Sequence, residues 1–111
     1  MVEFERRAGL LIVRLTDQRL DAVRAPAFKQ ALAANISDRP LRVLIDATDV
    51  DFIDSTGLGA LVGLLKLMGE GGRVAVAGAK PGVRRLFEIT RLDTVFALSD
   101  DHEAASVALG A

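Results

Sequence analysis

The sequence predicts an α/β fold: one mixed central β-sheet of 4-5 strands carrying about four α-helices. Three observations predict it. Apolar runs of strand length (Leu10 to Leu15, Arg42 to Asp46, Arg73 to Gly78) alternate with segments whose apolar residues recur at helical spacing. Helix punctuation falls between the runs, with Pro26 and Pro81 placed for first turns and Gly69 and Gly71-Gly72 placed for a helix end. Strands that alternate with helices pair mostly in parallel, because each helix carries the chain back across the sheet before the next strand begins.

In chain order, Leu10 to Leu15 is a buried strand paired with Val2 to Arg7 across the Ala8-Gly9 turn. Pro26 opens a helix in which Phe28, Leu32 and Ile36 repeat every four residues, and Asp38-Arg39-Pro40 ends that unit. Arg42 to Asp46 is the second core strand, followed by a polar segment and the strand-like Phe52-Ile53. A helix runs from Ser55 to Met68, and Arg73 to Gly78 is the third core strand. Pro81 opens a helix with Val83, Leu86 and Phe87 on one face; Val95 to Leu98 is the last strand and Asp101 to Leu109 the last helix.

The 111 residues make a single domain spanning 1–111, large enough for one core. A net charge of −1 argues against a nucleic-acid partner, which needs a basic surface. The absence of cysteine excludes disulfides and thiolate metal sites. The first residues mix acids with bases and lack a signal-like apolar stretch, while the longest apolar run, Gly57 to Leu65, stops at Lys66, too short for membrane insertion. The expected location is cytoplasmic.

Chemistry concentrates in Phe52-Ile53-Asp54-Ser55-Thr56-Gly57-Leu58-Gly59. Ser55 falls at a helix N-terminus, where outward backbone N–H groups and the helix dipole favour an anion. Thr56 is a second, weaker acceptor candidate. The same residue types are ordinary N-caps, so these residues alone leave capping and phosphate acceptance both open. Along the helix, Leu58, Leu61, Val62, Leu65 and Met68 form one apolar face, widened by Ala60, Leu64 and Leu67. The opposite sector holds Gly59, Gly63, Lys66 and Glu70, with Ser55 at its leading edge. Each helical glycine costs about 1 kcal/mol relative to alanine. Close packing or a smooth strip for a partner would each offset that cost.

This signature, after Asp49-Val50-Asp51, resembles that of STAS-domain anti-sigma factor antagonists. The resemblance extends over nearly the whole chain, through the early strand pair, Leu20-Asp21 before the first helix, Gly71-Gly72 before a strand, and the Val83-Arg84-Arg85-Leu86-Phe87 helix. It implies a STAS-like domain without enzymatic activity or a cofactor of its own. It implies that Ser55 is phosphorylated by a partner serine kinase, itself the anti-sigma factor, which consumes ATP and Mg²⁺. The unphosphorylated protein would hold that kinase and free the sigma factor; phosphorylation would end binding, and a PP2C-type phosphatase would reverse it. The implied partner-binding set is Asp21, Asp54, Thr56, Gly57, Gly59, Gly63 and Lys66. One departure stands out: where close relatives often place glycine and an acid before Leu-Asp, this chain reads Gln18-Arg19-Leu20-Asp21. Arg19 reverses the expected charge, which bears on the identity of the partner. The alternative is a STAS accessory subunit of a lipid-transport or other membrane-associated complex, using the same surface without phosphate control.

Other chemistries fit less well. Gly57-Leu58-Gly59 resembles a dinucleotide-binding turn, but Val62 stands where a third small residue belongs, and no acid follows the next strand. A phosphoaspartate receiver built on Asp46 and Lys80 lacks an acidic pair after the first strand and one strand–helix unit. Asp46, Asp49, Asp51 and Asp54 read as solvated loop acids rather than metal ligands. His102, the sole histidine, has no partner identifiable from sequence and reads as a capping or surface residue. Arg84-Arg85 falls on the solvated side of its helix.

Overall fold

The computed structural model describes residues 2–7, 9–36 and 42–110. The elements are β1 (Val2–Arg7), β2 (Leu10–Leu15), β3 (Arg19–Leu20), α1 (Ala25–Asn35), β4 (Arg42–Asp46), β5 (Phe52–Ile53), α2 (Ser55–Met68), β6 (Arg73–Ala77), α3 (Pro81–Ile89), a 3₁₀ turn (Leu92–Thr94), β7 (Phe96–Ser99) and α4 (His102–Ala108). Five strands form the main sheet in the order β1-β2-β4-β6-β7; β3 and β5 form a separate two-stranded sheet. β1 runs antiparallel to β2, and β2, β4, β6 and β7 are mutually parallel, so the sheet is mixed, as the hairpin-then-alternation pattern predicts.

Alternation of side chains along the strands decides which helix each face receives. Leu11, Val13, Val43, Ile45, Val74 and Val76 face a core built with Phe28 and Leu32 of α1, Leu61 and Leu64 of α2, and Val83 and Phe87 of α3. The intervening Leu10, Ile12, Leu44 and Ala75 face α4, through Ala105 and Leu109. Phe87 meets Phe96 edge-on with ring centroids 5.4 Å apart, joining α3 to β7.

Most predicted boundaries hold within a residue, and the differences have local causes. β6 ends at Ala77 because Gly78 takes φ +71°, with Thr48 Oγ1 only 2.5 Å from where a Cβ would sit. The last strand begins at Phe96 rather than Val95, which still closes the 3₁₀ turn. Asp101 lies outside α4 as its cap, accepting the Ala104 N–H at 2.8 Å. Leu67, grouped with the apolar face of α2, is 39% exposed because at about 100° per residue it falls at the edge of that face, next to the Gly63 sector. The predicted stop at Asp38-Arg39-Pro40 and the Ala8 half of the first turn lie outside the described residues.

The small sheet is what positions the signature. Arg19 and Leu20 pair in register with Phe52 and Ile53. The Gln18 carbonyl accepts Asp51 N–H at 2.7 Å, and the Leu20 carbonyl accepts Asp54 N–H at 3.2 Å. A two-residue strand has no periodicity to read, and β3 is invisible in the sequence for that reason.

Candidate functional site

Asp54 caps α2. Its carboxylate accepts the Gly57 N–H at 2.8 Å with one oxygen and the Ala22 N–H at 3.0 Å with the other. One side chain therefore satisfies an unpaired N–H of the helix start and ties it to the turn ahead of α1. With the cap supplied by Asp54, Ser55 becomes the first helical residue, and both Ser55 and Thr56 are exposed. The structure thus gives the capping role to Asp54 and leaves the Ser55 hydroxyl exposed.

The glycines of α2 divide into two kinds. Gly57 is buried, and a Cβ there would lie 2.1 Å from the Leu20 carbonyl oxygen. This corrects its place in the partner-binding set: Gly57 lets the helix start press on β3 and faces the interior. At Gly59 and Gly63 a Cβ would meet nothing within 4 Å. Their cost in helix propensity is therefore not offset by packing inside this chain. With exposed Lys66 they make a strip running away from Ser55 along the helix.

Asp21 also differs from the expectation of an outward contact. It is only 8% exposed. Its carboxylate pairs with Arg19 at 3.1 Å and Arg24 at 3.2 Å and accepts the Arg24 backbone N–H, while its carbonyl accepts the Ala25 N–H at 2.8 Å. Burial opposes its ionisation, but the Arg19 hydrogen bond, the Arg24 N–H and the Arg24 guanidinium outweigh burial and lower its pKa below the ordinary value. Asp21 organises the turn into α1. The outward group here is Arg19, whose guanidinium lies over the Phe52 ring, 4.4 Å from its centroid.

The acids read as one solvated loop cluster have separate fates. Asp51 forms an ion pair with Lys80, and Asp54 is the cap. Asp46 is buried at the end of β4 and accepts from Thr48 N–H at 3.0 Å, Thr48 Oγ1 at 2.6 Å and Arg14 Nε at 3.3 Å. His102 Nε2 lies 2.7 Å from the same carboxylate, so the lone histidine has a partner after all. Burial alone would raise the Asp46 pKa; the Thr48 hydroxyl and N–H, then His102, more than offset it and lower it to about 2. Sequence offered no signal for this pairing, because the two residues meet only once β4 and α4 are packed. Among the described residues, no three His, Asp or Glu side chains gather in a way that would hold a metal ion. Nor is any described helix long and apolar enough to cross a membrane.

An exposed hydroxyl thus stands at a capped helix start, beside an open glycine strip on a largely apolar helix. The STAS domain model matches residues 1–105. The chain belongs to the STAS domain family. This STAS domain is 30% identical over 102 residues to the anti-sigma F factor antagonist of Paenibacillus polymyxa, across 90% of this chain and 86% of that protein. It is 35% identical over 82 residues to the anti-sigma-B factor antagonist of Listeria monocytogenes, across 73% of this chain and 72% of that one. Among solved structures, an anti-sigma factor antagonist from Mycobacterium paratuberculosis superposes with a TM-score of 0.89 at 30% identity, covering 100% of this chain and 94% of the other.

Proposed function

We propose that this STAS domain is an anti-sigma factor antagonist working as a phosphorylation-switched binding module. Unphosphorylated, it holds an anti-sigma serine kinase and so frees the sigma factor; phosphorylation at Ser55 releases the kinase, and a PP2C-type phosphatase restores binding. The protein itself is not an enzyme and needs no cofactor, since ATP and Mg²⁺ serve the kinase. The observation that carries the reading is the exposed Ser55 at the first position of α2, with capping delegated to Asp54 and a side-chain-free strip at Gly59 and Gly63 leading away from it. The antagonist names of relatives at 30% and 35% identity support the same reading.

A phosphate on Ser55 adds roughly −1.5 to −2 charges and a tetrahedral group. Set at a helix N-terminus, that charge is favourable by about 0.3–1 kcal/mol, so the fold is retained. The Lys80 ion pair already offsets the nearby charge of Asp51. Phosphate therefore acts on the interface: losing about 3–4 kcal/mol there weakens binding several-hundred-fold. Ser55, Thr56, Gly59, Gly63 and Lys66 form the contact strip, while Asp21, Asp54 and Gly57 hold it in place from beneath.

The deciding experiment is intact-mass spectrometry after incubation with ATP, Mg²⁺ and each candidate serine kinase from the same genome, beside a Ser55→Ala control. The expected result is one phosphate gained by the unaltered protein and none by the variant. No gain with any kinase, together with stable binding to an ATPase or transporter subunit, would overturn the switch in favour of an accessory-subunit role.

A further inference from the structure

We infer that Arg19, held on the Phe52 ring, is the specificity-determining contact of this domain, and that the kinase presents a carboxylate to it. The inference deepens the proposed partner switch and rests on it.

Three observations point this way. First, the charges before α1 are unevenly committed. Arg24 is placed between Asp17, at 3.6 Å, and Asp21, at 3.2 Å, whereas among the described residues Arg19 pairs with the Asp21 carboxylate alone, which it shares. The Arg19 side chain is 52% exposed against 12% for that of Asp21, so the surface shows a partner the guanidinium and not the acid. Second, the guanidinium is preorganised. Its contact with the Phe52 ring and its pairing with Asp21 hold it in place, so less rotamer entropy remains to be lost when a carboxylate docks. Third, the setting is that of an interface. The β3–β5 register places Arg19 opposite Phe52, three residues ahead of Ser55 in the chain. Phe52 is 43% exposed and Val23, next to the Ala22 held by Asp54, is 81% exposed. Apolar neighbours that shed water on docking strengthen a buried charge pair at their centre.

A carboxylate at that place also supplies a reason for release. The partner's acid, held at Arg19 on the strand pair that leads into Ser55, is repelled by the charge that phosphorylation adds to that serine. Recognition and release then use the same group on the kinase, attracted by Arg19 and repelled by the phosphate.

The test is isothermal titration of the kinase that phosphorylates Ser55 with the unphosphorylated full chain and its variants. Arg19→Glu is expected to weaken binding at least roughly thirtyfold, and Arg19→Lys by a smaller factor, since an ammonium keeps the charge but not the planar fork. Exchanging the facing acid of the kinase for arginine is expected to restore affinity for Arg19→Glu alone. Phe52→Ala keeps the Arg19–Asp21 pair, and is expected to weaken binding about tenfold by removing the platform; it serves if Arg19→Glu misfolds by circular dichroism. Folded Arg19→Glu binding within about twofold of the unaltered protein, or a Phe52→Ala without effect, would overturn the inference while leaving the switch standing. Absence of any Ser55-directed kinase would instead bring down the switch, and this contact with it.

Discussion

The carboxylate of Asp54 accepts the backbone N–H of Ala22 across 32 residues of sequence, at 3.0 Å, while its other oxygen caps α2. The turn leading into α1 and the first turn of α2 are thereby held by one side chain. Removing it leaves two backbone donors without their acceptor. Asp54→Ala should lower unfolding stability by about 2 kcal/mol, one part from the cap and one from the Ala22 bond. Asp54→Ser, which can still cap but cannot span to Ala22, should recover about half of that. Urea denaturation of the three proteins, with equal m-values, checks the prediction.

The two kinds of glycine in α2 predict opposite responses to alanine. Gly57→Ala drives a methyl into the Leu20 carbonyl and should destabilise by about 2–3 kcal/mol, since backbone must shift on one side or the other. Gly59→Ala and Gly63→Ala add the same methyl to open space and should stabilise by about 0.5–1 kcal/mol each through helix propensity. If the strip receives the kinase, these two stabilised variants should also bind it more weakly. Thermal melts paired with a binding titration would display both effects; unchanged affinity would remove the glycines from the interface.

Asp46 predicts acid sensitivity. Its folded pKa of about 2 lies below the ordinary 3.8. The stability it contributes is fully present above the unfolded value and is lost as pH falls through the folded one. Between about pH 4 and pH 2 the domain should lose on the order of 1–2 kcal/mol from this group, allowing for partly solvated partners. Asp46→Asn should flatten that part of the stability profile. His102→Ala should shift its midpoint upward by taking away one of the groups that favour the carboxylate.

Phosphorylation of Ser55, if it is the switch, should leave the structure alone. The melting temperature of the phosphorylated protein should move by no more than about 5 °C, with an unchanged far-ultraviolet spectrum, because the phosphate sits on a favourable helix end. A large drop in stability would mean that release proceeds by unfolding the α2 start rather than by a block at the interface.

By itself the sequence determined whatever is encoded within one element. The strand runs, the proline and glycine punctuation, the apolar face of α2 and the placement of Gly59, Gly63 and Ser55 away from it all follow from local periodicity and propensity. The tertiary structure decided the relations between elements. That Gly57 is pressed against Leu20, that Asp21 turns inward to two arginines, and that His102 reaches the buried Asp46 all depend on strand register and helix docking. Each joins side chains or backbone through space at a distance of a few ångströms, and two of the three link residues far apart in the chain. Arg19, Asp21 and Arg24 are close in sequence, yet even there the chain names only the charges. Which of them faces solvent was fixed by β3 pairing with β5, a contact between two-residue strands too short to leave a periodic trace.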